Sequence, residues 1–226
     1  MGELSLRRRM DPGTGECVHE VKLGDAYLMS SLFTAGENAL AELGLQDINS
    51  DCISVVVGGL GLGYTAHAVL QNKRVNSLLV VEAMPQVIAW HRNGLVPLGS
   101  TIVSDSRCLL VEGDFFAMAR DKSGGFDPRN PEAKVHAILV DIDHSPDNVL
   151  DESHIDLYRA SGLSRLADRL YPGGVFALWS NDPPQAHFMK ELRQSFAKTT
   201  AHIVSFPSPL RGGNETNTIY LVQKDL

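Results

Sequence analysis

Two rhythms of apolar and polar positions take turns along this chain. From residue 53 onward, short apolar runs alternate with stretches in which apolar residues recur every three or four positions. The first rhythm is that of buried strands and the second that of amphipathic helices. Strands are expected near 53–58, 77–82, 108–112, 136–141, 174–180, 201–206 and 217–223. Helices are expected near 63–71, 85–93, 114–120, 153–170 and 184–197. The run Ala137-Ile138-Leu139-Val140 is apolar throughout, as suits a parallel strand covered on both faces. Alternation of this kind predicts an α/β fold built on an open, doubly wound, mostly parallel sheet of seven strands. Ahead of it, residues 16–31 alternate around Gly24-Asp25, a hairpin turn signal, and read as two short strands. Thr34 with Glu37 three residues on is a capping-box pattern and predicts a helix from Thr34 to Leu43. Ser123–Pro131, with its Gly, Pro, Asp and Asn, is expected to be a surface loop. The expected division is a disordered tail over 1–15 carrying Arg7-Arg8-Arg9, a hairpin and helix over 16–50, and a Rossmann-like cofactor-binding domain over 51–226.

Within that frame the most informative segment is Val55-Val56-Val57-Gly58-Gly59-Leu60-Gly61-Leu62-Gly63. A β-branched run entering a glycine cluster predicts a strand feeding a tight turn into a helix. Gly59, Gly61 and Gly63 would let a ligand lie against bare main chain. The next expected strand ends at Glu82, about twenty residues on, where a carboxylate can take both hydroxyls of a ribose. Together these features predict a nucleoside-type cofactor. An ordinary strand–turn–helix corner is the alternative.

The chemistry-capable residues gather at successive strand ends. The third expected strand delivers Glu112-Gly113-Asp114, and Asp114 could accept a hydrogen bond from an adenine amino group. The fourth delivers Asp141-Ile142-Asp143-His144-Ser145-Pro146, and the fifth Trp179-Ser180-Asn181-Asp182. Ligands of open α/β sheets bind outside the carboxyl ends of the strands, so these residues should face one crevice.

In order and spacing, Gly58–Gly63, Val81-Glu82, Glu112-Gly113-Asp114 and Ile138-Leu139-Val140-Asp141 resemble the motifs of spermidine synthases. These are aminopropyltransferases on the class I methyltransferase-like Rossmann fold. The resemblance runs from about Val21 to Val222. It implies S-adenosylmethionine or its decarboxylated form as cofactor, with Glu82 on the ribose, Asp114 on the adenine and Asp141 facing the reacting amine. It also places Glu37 in the active-site wall. Four departures accompany it. Gly61 stands where the family usually has an aspartate that grips the cofactor's aminopropyl amine, and should leave that place open. The family's Asp-Ser-Ser-Asp-Pro is replaced by Asp141–Pro146, with the second carboxylate shifted and His144 after it. Ala35 replaces a tyrosine, and the usual amino-terminal β-domain is shortened to a hairpin.

Alkyl transfer from a sulfonium is an in-line displacement whose leaving thioether needs no acid. The protein must therefore position the nucleophile and remove its proton. Asp141 is assigned to hold the amine and relay its proton, with Asp143 and His144 as helpers; His144 alone could be the base. Tyr158 and Trp179 could line an apolar substrate pocket, or be core. Asp141 or Asp143 with Asn181 and Asp182 could imitate a magnesium site, but the pair is offset and no metal is expected. His136, His144 and His154 lack zinc-site spacing.

Bulk properties narrow the choice. With 226 residues, 43% of them hydrophobic, the chain can bury one sizeable core. A net charge of −7 argues against a nucleic-acid binder and suits a cationic substrate. Cys17, Cys52 and Cys108 form neither a disulfide framework nor a zinc motif, so a reducing, cytoplasmic setting is expected. No apolar run approaches the roughly 20 residues that span a bilayer, so no membrane contact is expected. A homodimer is one assembly the chain could adopt. The leading expectation is a spermidine synthase-like transferase moving an aminopropyl group to a small amine. The alternatives are a small-molecule methyltransferase and a non-catalytic cofactor-binding protein.

Overall fold

The computed structural model describes residues 3–122, 124–208 and 212–226. Three strands come first: β1 (Leu4–Met10), β2 (Cys17–Leu23) and β3 (Ala26–Ser30), joined as an antiparallel sheet in that order. Helix α1 (Ala35–Gln46) leads into the alternating part. There follow β4 (Ile53–Gly58), α2 (Tyr64–Gln71), β5 (Val75–Glu82), α3 (Pro85–Arg92), α4 (Gly99–Ser104), β6 (Cys108–Glu112), α5 (Phe115–Arg120) and β7 (Val135–Val140). A 3₁₀ helix (Glu152–Tyr158) precedes α6 (Ala160–Asp168), β8 (Leu170–Ser180), α7 (Ala186–Arg193), β9 (Lys198–Pro207) and β10 (Asn214–Gln223).

The large sheet has the order β6-β5-β4-β7-β8-β10-β9. Strands β4 to β8 pair in parallel, and β10 runs antiparallel between β8 and β9. The mostly parallel seven-stranded sheet expected from the sequence is therefore present. Strand β4 is internal, and its neighbours β5 and β7 leave it in opposite directions across the sheet. That reversal opens a crevice at the carboxyl ends, the usual ligand position in such folds. Along β4 the side chains alternate between two apolar layers. Val56 packs with Val81, Ile138 and Phe176 on one face, and Val55 and Val57 with Leu40, Val69 and Leu139 on the other. Both faces are covered, which is why Val55, Val56 and Val57 can all be apolar.

Four details differ from the sequence reading. Residues 4–10 are a paired strand, not a disordered tail. Leu4 and Leu6 pack beside Val21 and Leu62, while Arg9 reaches Glu20 Oε1 at 2.7 Å and Asp11 Oδ2 at 3.0 Å. The basic run finds its counter-charges in β2 and the following turn, which local sequence does not reveal. The capping box does not form: Thr34 makes no side-chain cap bond, and Glu37 is buried, only 8% exposed. The single helix expected over 153–170 is the 3₁₀ helix and α6, separated by the extended Arg159. Helix α4 had no strong periodic signal. Of the expected loop at Ser123–Pro131, Ser123 lies outside the described residues, and Gly124–Pro131 contains neither helix nor strand. Among the described residues no helix is long and apolar enough to cross a membrane.

Helix α1 lies close against the sheet because Gly44 has no side chain. A Cβ there would sit 2.5 Å from Leu139 Cδ2 in the core. Gly44→Ala should gain about 1 kcal/mol of helix propensity but lose about 1–3 kcal/mol to overpacking. Urea denaturation should show a net loss of stability of about 1 kcal/mol; a stabilised variant would mean that α1 can move off the sheet freely.

Candidate active site

A cavity of about 1200 Å³ lies at the carboxyl ends of β4, β5, β6, β7 and β8. The small antiparallel sheet closes one side of it with Val21 and Met29, among others. The glycine loop after β4 forms part of its floor. Gly59 has φ 93°, and a Cβ there would lie 2.2 Å from the Asp141 carbonyl oxygen. Gly61 has φ 48°, again in the left-handed region. Only bare backbone lets the loop turn while lying against β7. His91 of α3 braces this turn: its Nε2 lies 2.9 Å from the Gly61 carbonyl oxygen, so Nε2–H donates. Its ring is fully buried, and burial lowers its pKa.

Glu82 ends β5 with its carboxylate in the cavity. It accepts the Leu60 amide at 3.0 Å and the Met84 amide at 2.9 Å. Burial pushes its pKa up while these amides hold it down. Asp114 caps α5, taking the Phe116 and Ala117 amides at 2.9 and 3.1 Å, both on Oδ1. Its other oxygen is not used by the cap. These geometries fit an adenosine-type ligand: a close main-chain surface, a fixed carboxylate at one strand end and a second at the next.

A pair of carboxylates, Glu37 buried and Asp141 partly so, stands elsewhere in the wall. Asp141, at the end of β7, accepts the Thr65 hydroxyl at 2.7 Å. Glu37 comes from α1. Desolvation raises Glu37 to about 8, and the charge of Asp141 adds to that rise. Desolvation also raises Asp141, to about 6, while the Thr65 hydroxyl opposes it. Asp141 therefore ionises first, and its charge keeps a proton on Glu37 near neutrality.

The remaining expected residues divide. Trp179 and His144 both line the cavity, as do Gly59, Gly61 and Asp143. Trp179 lies against Gly36, where a Cβ would come 2.3 Å from Nε1, and its indole nitrogen is buried without a partner among the described residues. Asp143, expected as a helper of Asp141, is not a free carboxylate. Only 2% exposed, it takes the Leu150 amide at 2.7 Å, His154 Nδ1 at 2.9 Å and the Tyr158 hydroxyl at 2.7 Å. These partners fill its lone pairs, so it ties down the 144–158 segment. Tyr158 is core, 3% exposed and edge-on to Phe116 and Phe188, and does not line the cavity. Gly63 lies behind the loop against Ile102 and His91. The space expected beside Gly61 is filled: a Cβ there would be 2.5 Å from Met29 Sδ, which also accepts the Leu62 amide at 3.1 Å. Among the described residues no three His, Cys, Asp or Glu side chains gather as a metal site. Met29, His91 and His154 were not singled out as site residues, because each reaches the site from an element whose placement is tertiary.

No family model matches the chain. Among solved structures it is similar to spermidine synthase from Thermotoga maritima, with a TM-score of 0.72 and 16% sequence identity. That match covers 98% of this chain and 69% of the other. It is also similar to a spermidine synthase in complex with the transition-state analogue AdoDATO, at a TM-score of 0.71, 16% identity and the same coverage. The chain thus has the fold of those enzymes, the fold that the sequence resemblance implied.

The carboxylate pair makes stability depend on pH. A carboxyl whose folded pKa is raised binds more protons folded than unfolded, so stability falls as pH rises between the two values. For Glu37 the window runs from about 4.5 to about 8. Glu37→Gln removes that titration. Its melting temperature should exceed that of the wild type by about 3 °C at pH 9, the effect of about 1 kcal/mol in a domain this size. The gap should shrink toward pH 5. A gap that does not change with pH would show that Glu37 is ionised throughout.

Proposed function

We propose that this chain is a spermidine synthase-like transferase that binds S-adenosylmethionine or its decarboxylated form and moves an aminopropyl group to a small amine. The observation that carries this reading is the coupled Glu37–Asp141 pair, which shares one cavity with Glu82, Asp114 and the glycine loop. Bound there, the cofactor would supply an electrophilic carbon beside a sulfonium and a thioether leaving group. Glu82 would hold the ribose, and the main chain at Gly59 would lie along the cofactor. Asp141, the first of the pair to ionise, would hold the incoming ammonium. The amine must lose a proton before its lone pair can attack, and a carboxylate pair that keeps a proton near neutrality is matched to receive it. Trp179 and Tyr64 would supply apolar wall around the amine's carbon chain. Proposed partners are this small-molecule acceptor and a cytoplasmic setting, with no role for nucleic acid or membrane.

Methyl transfer on the same site is the second reading, and Gly61 favours it. No carboxylate stands there to hold the amine of a decarboxylated cofactor, and Met29 Sδ fills the place. The full cofactor's own carboxylate would meet no fixed negative charge at that point.

Calorimetry with both cofactor forms, followed by mass spectrometry of an amine panel, tests the proposal. Glu82→Ala should weaken cofactor binding by about 1–3 kcal/mol, the scale for a charged hydrogen-bond partner. Asp141→Asn should bind cofactor almost as the wild type does while turnover falls by about two orders of magnitude or more. Undiminished turnover in Asp141→Asn would remove the acceptor role. The wild type should bind the two cofactor forms within about tenfold of each other, about 1.4 kcal/mol. A preference for the decarboxylated form above about a hundredfold would rule out methyl transfer as the main activity.

A further inference from the structure

At the Asp114 end of the cavity stands a histidine that the mechanism above does not use. His154 lies flat on Phe116, with ring centroids 3.6 Å apart and planes 9° apart. Its side chain is 14% exposed, and what remains exposed lines the cavity. Nδ1 sits 2.9 and 3.1 Å from the two oxygens of Asp143, whose side chain is fully buried. A carboxylate only accepts, so Nδ1 carries the hydrogen. In the neutral form of the ring the lone pair is then on Nε2, and no side chain or backbone group among the described residues donates to it. The Arg120 guanidinium, bonded to the Ser153 carbonyl at 2.9 Å, fixes the backbone just before the ring. The ring's place, tautomer and tilt are all determined by neighbours.

Phe116 joins this histidine to Asp114. Its amide is held by Asp114 Oδ1 and its ring by His154. The cap of α5 and the 3₁₀ helix therefore meet at Phe116, and each brings to the cavity lining a residue with an acceptor that the contacts above leave unused, Asp114 through Oδ2 and His154 through Nε2. We infer that His154 is a specificity-determining residue that, with Asp114, reads an exocyclic amino group on the ligand's purine. An amino group offers two hydrogens, one for each acceptor. A 6-oxopurine would instead bring its oxygen against two lone pairs and leave both acceptors unpaired, a mismatch that binding sites reject strongly. Asp143 acts here as a positioning residue, since its carboxylate sets which ring nitrogen accepts.

The inference rests on the proposed adenosine-type cofactor, and the test separates the two. Binding of 5′-methylthioadenosine and 5′-methylthioinosine is measured by calorimetry at pH 8, on the wild type and on His154→Phe, which keeps a flat ring on Phe116. The wild type should prefer the adenosine thioether by at least about tenfold, and His154→Phe should reduce that preference to about threefold or less. Equal binding of both thioethers by the wild type would overturn the inference and leave the proposed cofactor standing. An undiminished preference in His154→Phe would assign the reading to Asp114 alone and overturn it too. Failure of the wild type to bind either thioether would overturn both proposals. Should His154→Phe not fold, ¹⁵N-histidine spectra of the wild type decide the matter. The Nε2 resonance of His154 should move on adding the adenosine thioether and stay in place with the inosine one; the same response to both would refute the role.

Discussion

Coverage of β4 on both faces is the constraint on which the rest of this molecule depends. Val55, Val56 and Val57 can all be buried only if helices lie on each side of the sheet and neighbouring strands flank β4. With β5 and β7 on opposite sides of it, the chain must reverse its direction across the sheet at that point. The connections on the two sides then part, and a crevice opens where polar residues can sit at strand ends without breaking the core. Gly59 and Gly61 follow from the same constraint. The loop leaving β4 has to pass within a backbone's thickness of β7, which excludes a Cβ at Gly59.

The carboxylates in that crevice illustrate how surroundings, not residue type, decide a role. Asp143 and Asp141 are two residues apart; Asp143 is fully buried, and Asp141 is partly exposed in the cavity wall. Asp143 is satisfied by an amide, an imidazole and a hydroxyl, so its lone pairs are taken up and its work is structural. Asp141 has one hydroxyl and a second carboxyl for a neighbour, so its charge remains costly until a cation arrives. Glu82 is intermediate, held by two amides at the edge of the glycine loop. A positively charged ligand would relieve the Glu37–Asp141 pair and change nothing at Asp143. That difference, and not the presence of acidic residues alone, separates the Glu37–Asp141 corner of the cavity from Asp143.

The site also shows second-layer support from unexpected places. His91 donates to the Gly61 carbonyl from α3, Met29 covers Gly61 from the small sheet, and Arg120 steadies the backbone ahead of His154. Each joins the glycine loop or the post-β7 segment to an element distant in sequence. The small amino-terminal sheet is thus part of the site, since Met29 fixes the floor of the cavity and Val21 lines it.

From β2 onward the sequence by itself determined the order of strands and, apart from α4 and the break at Arg159, of helices, because period and apolar run length are local properties. The boundaries of β6 and the strand ends carrying Glu82, Asp114 and Asp141 were legible for the same reason. The glycine loop was legible because only glycine tolerates the backbone it needs. Pairings between distant side chains were decided by the tertiary structure alone. Residues 4–10 became a strand because Glu20 and Asp11 were brought opposite Arg9. Glu37 is buried beside Asp141 instead of serving the helix cap, because the packing of α1 on the sheet, not a local hydrogen bond, decides which way it faces. Asp143 and Tyr158 changed from candidate site residues to a structural tie because folding of the 144–158 segment placed each within reach of the other. Met29 filled the place beside Gly61 that residue types alone would leave open. Local pattern fixes where polar groups leave the core; which of them keep an unsatisfied charge depends on neighbours that only the folded chain supplies.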